Sequence, residues 1–97
     1  MPRDGRATVR QKERAKVVIT GVDASGLAFE ESTEACDISE EGLSFYLSRP
    51  LWVSSHLTAE MVSSSIFASG HVIRAMVVRI QTDPSSGKQF VAARFNE

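Results

Sequence analysis

Two groups of residues carry the chemistry this chain can offer. The first is Arg10-Gln11-Lys12-Glu13-Arg14, two arginines four residues apart in a basic leading stretch. Arginine is planar and permanently charged, and its fork of donors grips a phosphate with two parallel hydrogen bonds. The same fork matches O6 and N7 of guanine. Arg6 and Arg10 have the same spacing, so the register stays open. Arg10 and Arg14 are favoured because Arg14 directly precedes the first predicted strand. Read alone, such an arm is also an ordinary solvated basic segment.

The second group is Asp37-Ile38-Ser39-Glu40-Glu41-Gly42, set between two apolar runs. Ionised Asp37 is an acceptor only, suited to the N1–H and N2 amino group of a guanine. Ser39 can donate to a phosphate. Gly42 can take a positive φ and lets a ligand approach the main chain, where turn amides form a shallow anion nest. The plain alternative is a turn in which Asp37 and Ser39 satisfy nearby backbone amides.

The elements that must position these residues read as strands. Lys16–Val22 is rich in β-branched residues, and Asp23–Gly26 is a turn signal. Leu27 to about Cys36 is a second strand whose glutamates put it at an edge or on a wet face. Asp37–Gly42 breaks the pattern. Leu43–Ser48 alternates, with Leu43, Phe45 and Leu47 on one face, and Arg49-Pro50 ends it. His56 to about Ser63 is a strand, with a short helix as the rival. Gly70–Ile80 is one long strand, or two with a bulge near the glycine. After the loop Thr82–Gly87, Gln89–Phe95 returns as a hairpin. The expectation is all-β: a small barrel or sandwich behind an arm at residues 1–13.

Composition narrows the function classes. The 97 residues make one domain, with 42% hydrophobic content to fill its core. The net charge of −1 conceals a division. Residues 1–16 carry six cations against two acids, a net of +4. Residues 17–60 carry one cation against eight acids (−7), and residues 61–97 four against two (+2). That excludes a uniformly basic face for a nucleic acid polymer. The single cysteine, Cys36, permits no intrachain disulfide and fits a reducing compartment. No signal peptide or membrane-spanning run is visible, so a cytoplasmic protein with no membrane insertion is expected.

The arginine pair before the first strand, with Asp-x-Ser-x-x-Gly about twenty residues on, resembles the PilZ domain family. Gly70-His71-Val72-Ile73-Arg74 looks like the family's glycine-led long strand, and Val91-Ala92-Ala93-Arg94-Phe95 like its closing strand. The resemblance covers Arg10 to Phe95. It implies a six-stranded antiparallel β-barrel at residues 14–97 that binds the bacterial second messenger cyclic di-GMP. Arg10 and Arg14 would hold guanine and phosphate, facing Asp37, Ser39 and Gly42. The arm would be mobile when empty and would wrap the ligand, altering contacts with a downstream protein. Many members carry a helix after the last strand, and this chain ends at Glu97 with little or none. The barrel mouth is therefore expected to be open or available to a partner. Glu13, Glu40 and Glu41 lower the local positive potential.

The other reactive side chains point to nothing further. His56 and His71 lie far apart, so no metal site is expected. Cys36 reads as a small buried hydrophobe, and Trp52 as barrel packing, or less simply as a stacking platform. Ser63-Ser64-Ser65 reads as a turn. Arg74 either approaches the ligand from the long strand or points outward into solvent. No paired carboxylates, triad or cofactor motif indicates catalysis. A PilZ-like interaction module that does not bind nucleotide is the first rival reading. A barrel for single-stranded nucleic acid is the second, disfavoured by the acidic centre and scarce aromatics.

Overall fold

The structure, a computed structural model, describes residues 15–96. Its strands are β1 (Lys16–Val22), β2 (Ala28–Ile38), β3 (Gly42–Leu47), β4 (His56–Ser63), β5 (Val72–Thr82) and β6 (Gln89–Phe95). All pairs are antiparallel, and the strands close in the order β1-β2-β3-β6-β5-β4. The expected six-stranded antiparallel barrel is therefore present.

Alternation explains which faces turn inward. Leu43, Phe45 and Leu47 of β3 are buried, as are Leu57, Ala59 and Met61 of β4 and Val17 and Ile19 of β1. Burying a side chain such as Phe45 stabilises by about 1.5–3 kcal/mol. The period of two settles residues 56–63 as a strand, not a helix, and β4 pairs with both β1 and β5. β2 is not an edge either: it lies between β1 and β3, and Glu30 and Glu34 point to water.

Three register shifts interrupt the ladders. Between β1 and β4, Lys16 pairs with Ser63 and Val17 with Met61, so Val62 is an extra residue on β4. On β2, Ala35 pairs with Phe45 and Asp37 with Ser44, so Cys36 is the extra residue. On β5, Val77 pairs with Ala93 and Arg79 with Ala92, so Val78 is extra. The bulge anticipated near Gly70 is thus eight residues further on. Gly70 instead turns the chain ahead of β5, with φ of 85°. Cys36 is exposed at its bulge, contrary to the buried role expected of it.

One end of the barrel carries the β1–β2 turn and the β3–β4 loop, joined by the Ala24 N–H to Pro50 carbonyl bond at 2.8 Å. Buried Asp23 organises it. Its Oδ1 accepts from the amides of Ser25 and Leu27, at 2.9 and 3.0 Å, and its Oδ2 accepts from Arg49 Nη1 at 3.3 Å. The Leu27 amide most of all holds the Asp23 carboxyl below its usual range. Burial opposes this, and the Ser25 amide and Arg49 add to the lowering. Arg49 also lies 5.2 Å from the Phe29 ring centre and 3.8 Å from Glu31. Trp52 sits in this loop, 67% exposed, and so contributes little to barrel packing.

The opposite end carries the β2–β3 turn and the β4–β5 loop. Ser64 Oγ accepts from the amides of Ile66 and Phe67, at 3.0 and 3.2 Å, and both side chains pack against the core. Phe67 stands edge-on to Phe95, with ring centres 5.6 Å apart. Ile66 and Phe67 thus pack over part of the core at this end. Among the described residues no helix is long and apolar enough to cross a membrane.

Candidate functional site

The Asp37–Gly42 segment is less of a loop than its sequence suggests. Asp37 and Ile38 belong to β2 and Gly42 to β3, leaving Ser39, Glu40 and Glu41 as the turn. Ser39 N–H donates to the Gly42 carbonyl at 2.9 Å. Ser39 Oγ accepts from the Glu41 amide at 3.1 Å. A hydroxyl carries one proton and two lone pairs, so this turn-forming bond leaves the Ser39 proton available for donation. Both the local and the ligand-facing readings of Ser39 are thus compatible.

Gly42 serves differently from expectation. Its φ is not among the positive ones. What demands glycine is β6: an added Cβ would meet the Ala93 carbonyl oxygen and lie 3.1 Å from Arg94 Cα.

The bulge at Cys36 decides where Asp37 points. Strict alternation from inward Ala35 would turn Asp37 into the core. One extra residue turns it outward, beside Ser44, while Ile38 takes the buried position, with no exposure. The Asp37 side chain is half-buried and its Oδ1 is buried.

Outward from Asp37 runs a row across four strands. Asp37 faces Ser44, Ser44 faces Ala92, and Ala92 faces Arg79. At about 4.8 Å per strand the row spans roughly 14 Å between its end backbones. Small side chains in the middle leave a groove of about 400 Å³, lined also by Ser39, Glu41, Gly42, Phe90 and Arg94. Ligand sites typically measure about 300–1,000 Å³. Arg79 and Arg94 make no ion pair or side-chain hydrogen bond among the described residues. One wall therefore offers acceptors and a hydroxyl, and the other offers two guanidinium forks. Below the row, Phe90 packs on Tyr46 with ring centres 5.0 Å apart, an aromatic border to the groove.

Arg79 and Arg94 were not singled out from sequence. The one trace is the spacing of Val77 and Ile80, three apart where a regular strand wants two. Arg74 does not line the groove. It is exposed on β5 opposite Thr58 of β4, so its outward, solvated alternative fits. Trp52, in the β3–β4 loop, is not among the residues that line this groove. Arg6, Arg10 and Arg14 lie outside the described residues. Their point of attachment does not: the Ala15 carbonyl accepts from the Ala35 amide at 2.8 Å, two residues along β2 from Asp37.

No protein-family model and no curated protein matches the chain. Solved structures do. The Bacillus subtilis inhibitor of motility, MotI/DgrA, superposes with a TM-score of 0.67 at 23% identity, over 92% of this chain and 41% of that one. MrkH of K. pneumonia in its apo state superposes with a TM-score of 0.57 at 17% identity, over 99% and 44%. The fold is PilZ-like. This chain spans about two fifths of the length of each of these proteins, so the PilZ-like barrel corresponds to one part of them. Among the described residues of the barrel, no group of three or more His, Cys, Asp or Glu side chains is placed to hold a metal ion.

Proposed function

We propose that this barrel is a signalling effector domain that binds cyclic di-GMP in the groove and converts binding into altered contacts with a downstream protein. The reading places no chemistry on the ligand. The observation that carries it is the convergence of Asp37, Ser39 and Gly42 on a groove whose far wall bears Arg79 and Arg94, which form no ion pair among the described residues. Asp37 accepts from the N1–H and amino group of a guanine. Ser39 donates its remaining proton to the ligand, and Gly42 keeps the wall flat.

Arg10 of the arm at residues 1–13 and Arg14 at the start of the barrel domain, with Arg6 as the alternative partner, complete the site. The reach is adequate: the five residues from Arg10 to Ala15 span at most about 17 Å. The tether leaves the barrel beside Asp37. The net charge of the first 16 residues, +4, suits a ligand with two phosphates. A bacterial cytoplasm is where such a messenger would be met.

A second reading is favoured by Glu41, which lines the groove together with Asp37. Two carboxylates oppose a dianion, and the domain would then be an interaction module without nucleotide. Calorimetric titration with cyclic di-GMP at tens of micromolar protein separates the two. Binding heat that drops at least tenfold in affinity in Arg14→Ala, with the melting temperature of the empty protein unchanged, supports the first. No heat from the wild-type chain supports the second.

A further inference from the structure

Arg79 owes its position to an irregularity, and that irregularity points to a use. Val77 is fully buried, and Ile80 packs against the core. A regular strand between them would leave one outward residue; the bulge leaves two, Val78 and Arg79, both lining the groove. A bulge forfeits ladder pairing and re-aims a side chain, and such features concentrate beside binding sites. Here the re-aimed residue is an arginine paired with Ala92, and both line the groove. A bare arginine beside a groove is a ready partner for an oxyanion, and it takes a phosphodiester through two parallel bonds. Arg94 shares the groove but lies opposite Gly42, next in sequence to acidic Glu41. Arg79, on β5, stands one strand further from that carboxylate than Arg94 does.

We infer that Arg79 holds a phosphate of the ligand on the β5 side of the groove, opposite the purine edge held at Asp37. This rests on the cyclic di-GMP reading above and adds to it a contact outside both sequence motifs. Arg79 thereby sets the lateral position of the ligand across the barrel wall. The β5 strand, which is not a neighbour of β1 in the barrel, becomes part of what responds to binding.

The test titrates wild-type protein, Arg79→Ala, Arg79→Lys and Arg74→Ala with cyclic di-GMP at two sodium chloride concentrations. Expected are at least a tenfold loss of affinity in Arg79→Ala and a smaller loss in Arg79→Lys, which keeps the charge without the fork. Salt sensitivity should fall in Arg79→Ala, because one screened charge pair is gone. Arg74→Ala should bind as wild type, and all four empty proteins should melt together. If wild type binds and Arg79→Ala binds equally well, the inference is overturned while the ligand assignment stands. If wild type takes up no cyclic di-GMP, the ligand assignment fails and the inference falls with it. Equal losses in Arg74→Ala and Arg79→Ala also overturn it, since they would report overall charge and not a placed contact.

Discussion

Asp37 and Arg79 stand at the two ends of one cross-strand row, and each directly follows a β-bulge. Neither would face the groove on a regular strand. Cys36 on β2 and Val78 on β5 shift the parity of their strands by one residue, and each shift turns a charged side chain outward above Ser44 and Ala92. The two charges are opposite and are separated by three inter-strand spacings, too far to neutralise one another directly. The barrel thus carries a carboxylate and a guanidinium at the two ends of a floor of small residues. The floor strands β3 and β6 pair with each other without interruption, and every strand of the barrel has two neighbours.

Under the proposed function, Ser39 links turn stability to ligand contact. Its Oγ accepts from the Glu41 amide at 3.1 Å, and Ser39→Ala removes that acceptor. The expected cost is about 1 kcal/mol for one such bond. For a domain this small, that lowers the melting temperature by roughly 4–8 °C. Cyclic di-GMP affinity should fall beyond what the destabilisation explains, because the donated proton is lost as well. Melting curves and titrations on the same preparation check both parts; unchanged affinity would confine Ser39 to the turn.

The strands were legible where one face alone is buried. β1, β4 and β6 have the bounds that their apolar alternation marks out, and β3 differs by one residue at each end. The groove was only half legible. Asp37, Ser39 and Gly42 lie within six residues of each other, so their proximity is local. Arg79 and Arg94 reach the same groove through the β3–β6 and β6–β5 pairings, which join residues far apart in sequence. No local period carries that information. The bulges were hidden for a related reason. Three-residue spacing between Ala35 and Ile38 looks like the end of a strand, which is why Asp37 read as loop. Gly42 was assigned the right residue type for the wrong cause, since the approach of β6 is a tertiary fact.

Trp52 should be silent. It is the only tryptophan, is 67% exposed, and lies at the end of the barrel away from the Ser39 turn. Trp52→Ser should change stability by no more than about 0.5 kcal/mol, as for surface sites without special contacts, and leave ligand affinity as it was. Its fluorescence should report an exposed indole and stay constant through a titration. A marked emission change on ligand addition would mean that binding reaches the far end of the barrel.

Asp23 should give the domain an acid limit. Its folded-state carboxyl lies below the ordinary value of 3.8, through the Leu27 amide first. A carboxyl depressed on folding contributes stability that is fully present above the unfolded value and is lost as pH falls through the folded one. Asp83 is shifted in the same direction, chiefly by Ser86. Urea midpoints should therefore hold steady from pH 7 to about 5 and decline below about 4. Asp23→Asn removes one titrating group, so its stability gap from wild type should narrow as pH falls toward 2. A constant gap over that range would show that the Asp23 charge is not what stabilises the turn.

Gly42→Ala tests the seam between the site and the barrel. The new methyl group would meet the Ala93 carbonyl oxygen and lie 3.1 Å from Arg94 Cα, both backbone atoms of β6. Backbone in a paired strand cannot rotate aside, so β3 and β6 must separate. Overpacking of this kind costs about 1–3 kcal/mol. Arg94 lies directly across that seam and lines the groove, so affinity should drop together with the melting temperature. Gly26→Ala is the control: open space surrounds that position, but its φ of +87° penalises any side chain, by about 1–2 kcal/mol. It sits at the opposite end of the barrel, so it should lower the melting temperature and leave binding intact. A Gly42→Ala protein that melts and binds like wild type would mean that β6 does not approach β3 this closely in solution.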